Sequence, residues 1–130
     1  MAKLFFMSDI ILKEESYKII GICMEVHRIL GRGFLEIVYK DAIQYELRKQ
    51  LIPHEREKQY AIPYKEIILP HSFFADFIVY DQIILEVKGC SGLTDEFTKL
   101  ALNYLAVSKC KLALLVNFGR DSLEYKRVVL

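Results

Sequence analysis

Two apolar runs stand near the middle of the chain, residues 73–80 (FFADFIVY) and residues 83–89 (IILEVKG). Both are dense in aromatic and β-branched residues, and the polar pair Asp81-Gln82 separates them, so the sequence predicts two strands joined as a hairpin. Three charged side chains interrupt these runs: Asp76, Glu86 and Lys88. A carboxylate inside an apolar strand is costly unless something pairs with it. We therefore expect the three charges to meet.

Whether they meet depends on the register of the hairpin. A two-residue loop would place the two carboxylates on opposite faces of the sheet. A three-residue connection, residues 80–82, or a bulge instead sets Asp76 beside Glu86, with Lys88 two residues further along the same face. We predict this second register. It gathers oxygen ligands of the kind that a hard divalent cation such as Mg²⁺ needs when it activates water against a phosphodiester.

A Glu-x-Lys tripeptide alone is a weak signal, because the chain carries a second copy at Glu124-Tyr125-Lys126, where the flanks are polar. The second copy is typical of a surface strand. Only the copy at residues 86–88 lies in an apolar strand and follows an Asp on the neighbouring strand. On this pattern a functional carboxylate site and a structural ion pair both remain open, since buried ion pairs also exist without a catalytic role.

Composition sets bounds on the domain and its partners. The 130 residues suffice for one domain with a single core. Apolar residues make up 53% of the chain, which leaves apolar surface for a subunit interface, so we expect a homodimer. A net charge of +1 gives no overall basic excess, so any surface that holds nucleic acid must be local.

The cysteines and the N-terminus indicate the compartment. Cys23, Cys90 and Cys110 are odd in number and far apart, which argues against a disulfide framework and a zinc site and favours a reducing cytoplasm. Residues 1–7 hold an apolar patch too short for a signal peptide, and no run is long enough to span a membrane. We expect no membrane association.

The remaining elements follow from periodicity and breakers. Helices are predicted at residues 13–30, ended by Gly31, at about 34–51, ended before Pro53, and at 95–108, with Thr94 as the N-cap. Strands are predicted at residues 59–64 and 66–69, a pair closed by Pro70, then at 112–116, buried on both faces, and at 123–130, on an edge.

This order of elements predicts the fold class. The strand at 83–88, the helix after it and the strand at 112–116 form a β-α-β unit, so these two strands should be parallel. The predicted fold is α/β (α+β), a mixed β-sheet flanked by helices. It forms a single domain over residues 13–130, after an N-terminal extension of residues 1–12.

Motifs spread along the chain resemble one known family. Residues 33–39 (GFLEIVY) fit the Gly-x-x-Glu-x-x-Tyr signature of the GxxExxY proteins, which belong to the PD-(D/E)XK nuclease-like superfamily. The other segments that resemble this family are Ile20-Gly21, Glu25-Val26-His27, Leu30-Gly31, Ala75-Asp76, Glu86-Val87-Lys88, Asn103-Tyr104-Leu105 and residues 115–119 (LVNFG). The resemblance covers residues 13–129.

The resemblance implies a restriction-endonuclease-like core and a metal-dependent nuclease site acting on DNA or RNA. Asp76 and Glu86 would hold Mg²⁺ or Mn²⁺, helped by the backbone carbonyl of Val87. Lys88 would orient or deprotonate the attacking water and offset charge in the transition state. Glu36 would be a further metal ligand, direct or through water. The implied supporting residues are Tyr39 and Tyr104.

Two observations keep the other interpretation open. Nuclease relatives with a Gln-x-x-x-Tyr element would place Gln at position 100, whereas this chain has Leu100 before Tyr104. An apolar side chain cannot contact a metal-bound water. From its position alone, Glu36 could equally be a carboxylate at the positive end of a helix dipole. The alternative is therefore a catalytically weak or inactive nuclease-fold protein that binds nucleic acid or another protein.

Overall fold

A computed structural model of the protein describes residues 10–130, which form three helices and one five-stranded sheet. The helices are α1 (Lys13–Leu30), α2 (Glu36–Lys49) and α3 (Asp95–Ser108). The strands are β1 (His54–Tyr64), β2 (Ile67–Val79), β3 (Ile83–Lys88), β4 (Leu112–Asn117) and β5 (Glu124–Val128). This single domain confirms the predicted fold class. Most of the predicted N-terminal extension, residues 1–9, lies outside the described residues.

The strands lie in the sheet in the order in which they occur along the chain. β3 and β4 are parallel, as predicted, and the other neighbouring pairs are antiparallel. Helices α1 and α2 cover one face and α3 covers the other. Alternate residues of β3 therefore enter different cores: Leu85 packs with α1 and α2, and Ile84 packs with α3. A strand covered on both faces must be largely apolar on both faces, which is why β4 and residues 83–85 of β3 form continuous apolar runs.

The break between α1 and α2 depends on two glycines. Gly31 has φ +69 and Gly33 has φ +111, backbone conformations in which other residues are strained. The chain turns here and starts α2 at Glu36. The turn thus sets the position of Glu36 relative to the sheet.

The β1–β2 pair differs from the prediction. β1 begins at His54, and β2 continues unbroken from Ile67 to Val79, so the prediction that Pro70 closes a short strand is wrong. Pro70 falls in the irregular part of the ladder, between the pairs Ala61–Ser72 and Pro63–Ile68. It also precedes the part of β2 that pairs with β3, so its missing N–H interrupts no central ladder.

The surface bears on two other expectations. No helix within residues 10–130 is long and apolar enough to cross a bilayer. Several large apolar side chains are exposed, among them Tyr17, Leu35 and Tyr45. The homodimer and the cytoplasmic location stay predictions.

Candidate active site

The β2–β3 hairpin has the predicted register. Its pairs are Phe77–Leu85, Ile78–Ile84 and Val79–Ile83. The connection is the three residues Tyr80, Asp81 and Gln82, the first two of which adopt left-handed φ values of +57 and +58. Continued by one residue, this register sets Asp76 opposite Glu86.

Asp76 and Glu86 meet where the regular β2–β3 ladder ends. The backbone N–H of Asp76 donates to Glu86 Oε2 at 2.8 Å, and the backbone N–H of Val87 donates to Asp76 Oδ2 at 2.8 Å. Each carboxylate thus accepts a hydrogen bond from a backbone N–H of the opposite strand. In a regular ladder a backbone carbonyl would be the acceptor. The two acidic groups are fixed in the gap between two adjacent strands.

A backbone irregularity in β2 aims the side chain of Asp76. Ala75 packs on the α3 side of the sheet and Phe77 on the α1–α2 side, whereas strict alternation would place both on one face. On β1, Glu57 lies between the residues paired with Phe77 and Ala75, and it has φ +54. A non-glycine residue in this region is strained, and such strain clusters at functional sites. The switch of faces lets Asp76 reach α2 as well as β3.

The ammonium bound to Asp76 is that of Lys40 on α2. Lys40 Nζ lies 3.1 Å from Asp76 Oδ1 and 2.7 Å from Glu57 Oε1. The side chains of Lys40 and Asp76 are only 13% and 14% exposed. Burial alone would lower the pKa of Lys40, but the hydrogen bonds and charges of Glu57 and Asp76 outweigh it and raise that pKa. Lys40 is therefore held firmly as a cation.

Lys88 does not join this cluster. Its Nζ lies 5.2 Å from the ring centroid of Phe97 on α3, and no ion pair of Lys88 occurs within residues 10–130. The expectation that all three charges meet is therefore wrong for Lys88, because its ammonium lies over an aromatic ring of α3. The charge of Lys88 still acts on the site, since it is one of the influences that lower the pKa of Glu86.

Glu86 lies in the driest part of the site. Only 3% of the Glu86 surface is exposed. Burial first, and the charge of Asp76 second, raise the pKa of Glu86 from its ordinary value of 4.5 to about 8. The N–H of Asp76 and the charges of Lys88 and Lys40 oppose this shift without cancelling it. At neutral pH Glu86 is therefore mostly protonated, because the positive charge around the site is too small to keep both carboxyl groups ionised.

Glu36 lies at the rim of the site. Its Oε2 accepts a hydrogen bond of 3.1 Å from the backbone N–H of Gly89, the residue that follows β3. The start of α2 thus places this carboxylate one residue beyond Lys88. Glu36 contacts the backbone there rather than either of the other acidic side chains.

Tyr39 and Tyr104 support the backbone around the site. The hydroxyl of the fully buried Tyr39 donates to the carbonyl of Gly31 at 2.6 Å and accepts from the N–H of Phe34 at 3.2 Å, which fixes the turn before Glu36. The hydroxyl of Tyr104 donates to the carbonyl of Phe74 at 2.8 Å, two residues before Asp76. Neither hydroxyl contacts a carboxylate of the site.

The donor set suits a hard cation. Asp76 and Glu86 supply carboxylate oxygens, and Mg²⁺ is usually bound through one or two carboxylates, with waters and substrate phosphates completing its shell. A divalent ion would also supply the positive charge that the raised pKa of Glu86 indicates is lacking. Within the described residues no three His, Cys, Asp or Glu side chains gather closely enough to hold a metal unaided. The residues present therefore fit an ion shared with water or substrate.

Sequence reasoning missed Lys40 and Glu57. Lys40 had a usable signal, because it follows Glu36 by four residues and so shares a helix face with a residue expected at the site. Glu57 had none, since it stands in the charged segment His54-Glu55-Arg56-Glu57-Lys58, which is typical of a solvated strand. Its inclusion depends on its left-handed backbone, which the sequence does not indicate.

Comparisons with known proteins identify the family and the fold. The family model described as "PD-(D/E)XK nuclease superfamily" matches residues 13–128. A solved structure titled "Crystal structure of SSO0001" superposes with a TM-score of 0.57 at 16% identity, over 71% of this chain and 48% of that one, which shows a similar fold. This chain spans about half the length of that protein. No curated protein matches. On the family match over nearly all of its length, the chain belongs to the PD-(D/E)XK nuclease superfamily.

Proposed function

We propose that the protein is a Mg²⁺- or Mn²⁺-dependent nuclease that hydrolyses phosphodiester bonds of DNA or RNA. The observation that carries this proposal is the convergence of Asp76 and Glu86 in the gap between β2 and β3, each bound to the other strand's backbone. Superfamily membership suggests a nuclease-like function and, in general, a divalent metal. A buried pair of carboxylates that needs positive charge is consistent with both.

The proposed roles follow from position. Asp76 and Glu86 hold the ion, with the Val87 carbonyl as a further oxygen ligand and Glu36 at the rim as an additional or water-mediated one. When bound, the ion supplies Lewis-acid activation of water and neutralises charge on the phosphate. Lys88, which Phe97 orients, offsets negative charge at the scissile group and orients the attacking water.

The test uses plasmid, single-stranded DNA and RNA with Mn²⁺. We expect wild-type protein to cleave at least one of them, and Asp76→Asn and Lys88→Ala to abolish cleavage. Asp41→Asn is the matched control, because Asp41 is an exposed carboxylate on α2 that pairs with Arg56 and lies outside the proposed machinery. Equal cleavage by wild type and Asp76→Asn would identify a contaminant and reject the proposal.

A second function is a binding module that keeps the nuclease fold without its chemistry. It is favoured by the ion pair of Lys40 with Asp76, which neutralises one carboxylate without a metal, and by Leu100, which offers no polar group. A ligand that binds the native state raises the melting temperature. If neither Mg²⁺ nor Mn²⁺ at millimolar concentration raises it, the ion-pair role stands and the nuclease proposal fails.

A further inference from the structure

Lys40 lies almost buried between two carboxylates from different strands. Its Nζ is 3.1 Å from Asp76 Oδ1 on β2 and 2.7 Å from Glu57 Oε1 on β1. The Gly-x-x-Glu-x-x-Tyr motif at residues 33–39 ends at the residue before Lys40. This ammonium therefore binds the same carboxylate that we propose as a metal ligand, and its effect on metal binding has to be explained.

The two oxygens of Asp76 have different partners. Oδ2 accepts from the backbone N–H of Val87, which is fixed by β3, and Oδ1 accepts from the ammonium of Lys40. Oδ1 is therefore the oxygen whose partner can move. A divalent cation bound there would meet the ammonium on the same atom, and like charges at this distance repel strongly.

Glu57 gives the ammonium a second anchor. The side chain of Glu57 is 48% exposed, so its carboxylate borders solvent while its Oε1 holds Lys40 at 2.7 Å. A small rotation of the flexible lysine stem can release Asp76 and keep Glu57. The strained backbone of Glu57, with φ +54, holds this anchor next to the site.

We infer that Lys40 is the resident cation of the site and competes with the divalent metal for Asp76. Without metal, Lys40 neutralises Asp76. When a divalent ion binds Asp76, the ammonium leaves Oδ1 and remains on Glu57. This rests on the proposed function, since it takes Asp76 as a metal ligand. Lys40 is a positioning residue here, which sets how readily the site loads.

The test measures Mn²⁺ binding to metal-free protein by calorimetry, without substrate. Lys40→Met removes the charge and keeps the length of the side chain, and Lys40→Gln also keeps a hydrogen-bond donor. We expect both to bind Mn²⁺ about tenfold tighter or more, because a charge at this distance changes the affinity of a carboxylate for a proton by about that factor. Lys58→Met is the matched control: Lys58 lies on β1 and pairs with Glu55, and its loss should change affinity by less than about twofold, as expected for an exposed charge.

The outcomes separate the two proposals. If wild type binds Mn²⁺, Asp76→Asn does not, and both Lys40 variants bind no tighter than wild type, the competition is rejected and the proposed metal site stands. If no form binds Mn²⁺, both fail. A metal-free melt adds a second readout: the Lys40→Gln and Asp76→Asn losses in melting temperature should be less than additive, and strict additivity would contradict the ion pair.

Discussion

The tripeptide Glu-x-Lys occurs twice in this sheet, at residues 86–88 on β3 and at residues 124–126 on the edge strand β5, with opposite electrostatic outcomes. Burial and a neighbouring carboxylate raise the pKa of Glu86. A hydrogen bond from the Asn117 side chain, and then one from the N–H of Leu93, lower the pKa of Glu124. The ionised glutamate is therefore destabilised in the first copy and stabilised in the second.

Glu124 completes a hydrogen-bonded clamp at the ends of β3 and β4. The amide of the fully buried Asn117 accepts from the N–H groups of Cys90 and Gly119 and donates to the Cys90 carbonyl and to Glu124 Oε1, each at 3.0 Å. Neutral donors that are already in place satisfy this carboxylate. Glu86 instead faces a second acidic group. The comparison indicates that a carboxylate's partners and burial, rather than the Glu-x-Lys tripeptide itself, separate a structural role from a candidate metal ligand.

The largest expected effect is on cleavage. Glu86→Gln should reduce Mn²⁺-dependent cleavage by about 1,000-fold, because a bound ion contributes several kcal/mol of charge stabilisation to the transition state. Glu124→Gln removes the same charge from the other copy and should retain cleavage within about threefold, since that carboxylate lies outside the proposed machinery. Initial rates on the best substrate, measured with protein whose fold is checked by circular dichroism, compare the two. Equal losses in both variants would mean that the two copies do not differ in function.

The hairpin and its register could be predicted because two separate features of the sequence indicate them. Residues 73–80 and 83–89 are apolar enough to be strands, and the need to bring Asp76 and Glu86 together selects a three-residue connection. The parallel pairing of β3 with β4 followed from the helix between them. These features depend on neighbours in the chain.

The rest depends on contacts between distant segments. Lys40 meets Glu57 and Asp76 only because α2 packs beside β1 and β2, and the left-handed φ of Glu57 that allows it has no signature in a charged segment. The sequence predicts Lys88 beside the carboxylates, but its ammonium lies over the ring of Phe97, nine residues later in the chain. Pro70 predicts the end of a strand, but an irregular stretch of the β1–β2 ladder accommodates it within β2. In each case packing between distant segments determined the outcome, and local sequence patterns do not contain that information.

The second expected effect is on stability against pH in metal-free buffer. The pKa of Glu86 rises from 4.5 to about 8 on folding, so its contribution to stability is full below pH 4.5 and is lost as the pH rises through 8. The pKa of Glu124 falls on folding, so its contribution is present above pH 4.5 and is lost at lower pH.

Melting temperatures of the two Gln variants test this contrast. From pH 5 to pH 8.5, Glu86→Gln should gain on wild type by roughly 10 °C, because the raised pKa corresponds to a few kcal/mol over this range and about 1 kcal/mol shifts the melting temperature of a domain of this size by about 4 °C. Over the same range Glu124→Gln should stay below wild type by a nearly constant amount. If the melting temperature of Glu86→Gln changes with pH in parallel with that of wild type, the fold does not raise the pKa of Glu86. The argument that the site needs a cation would then fail.

The smallest expected effect concerns the lysines of the two copies. Lys88 lies over the Phe97 ring, whereas Lys126 donates to the Thr98 hydroxyl at 2.9 Å on the exposed face. At pH 5, where Glu86 is protonated, Lys88→Ala should cost about 0.5–1 kcal/mol of unfolding free energy through the lost cation–π contact. Lys126→Ala should cost less than about 0.5 kcal/mol, as expected for a surface substitution. Urea titrations resolve this difference. No measurable loss for Lys88→Ala would show that Phe97 does not hold Lys88, and the orientation proposed for its ammonium would lose its support.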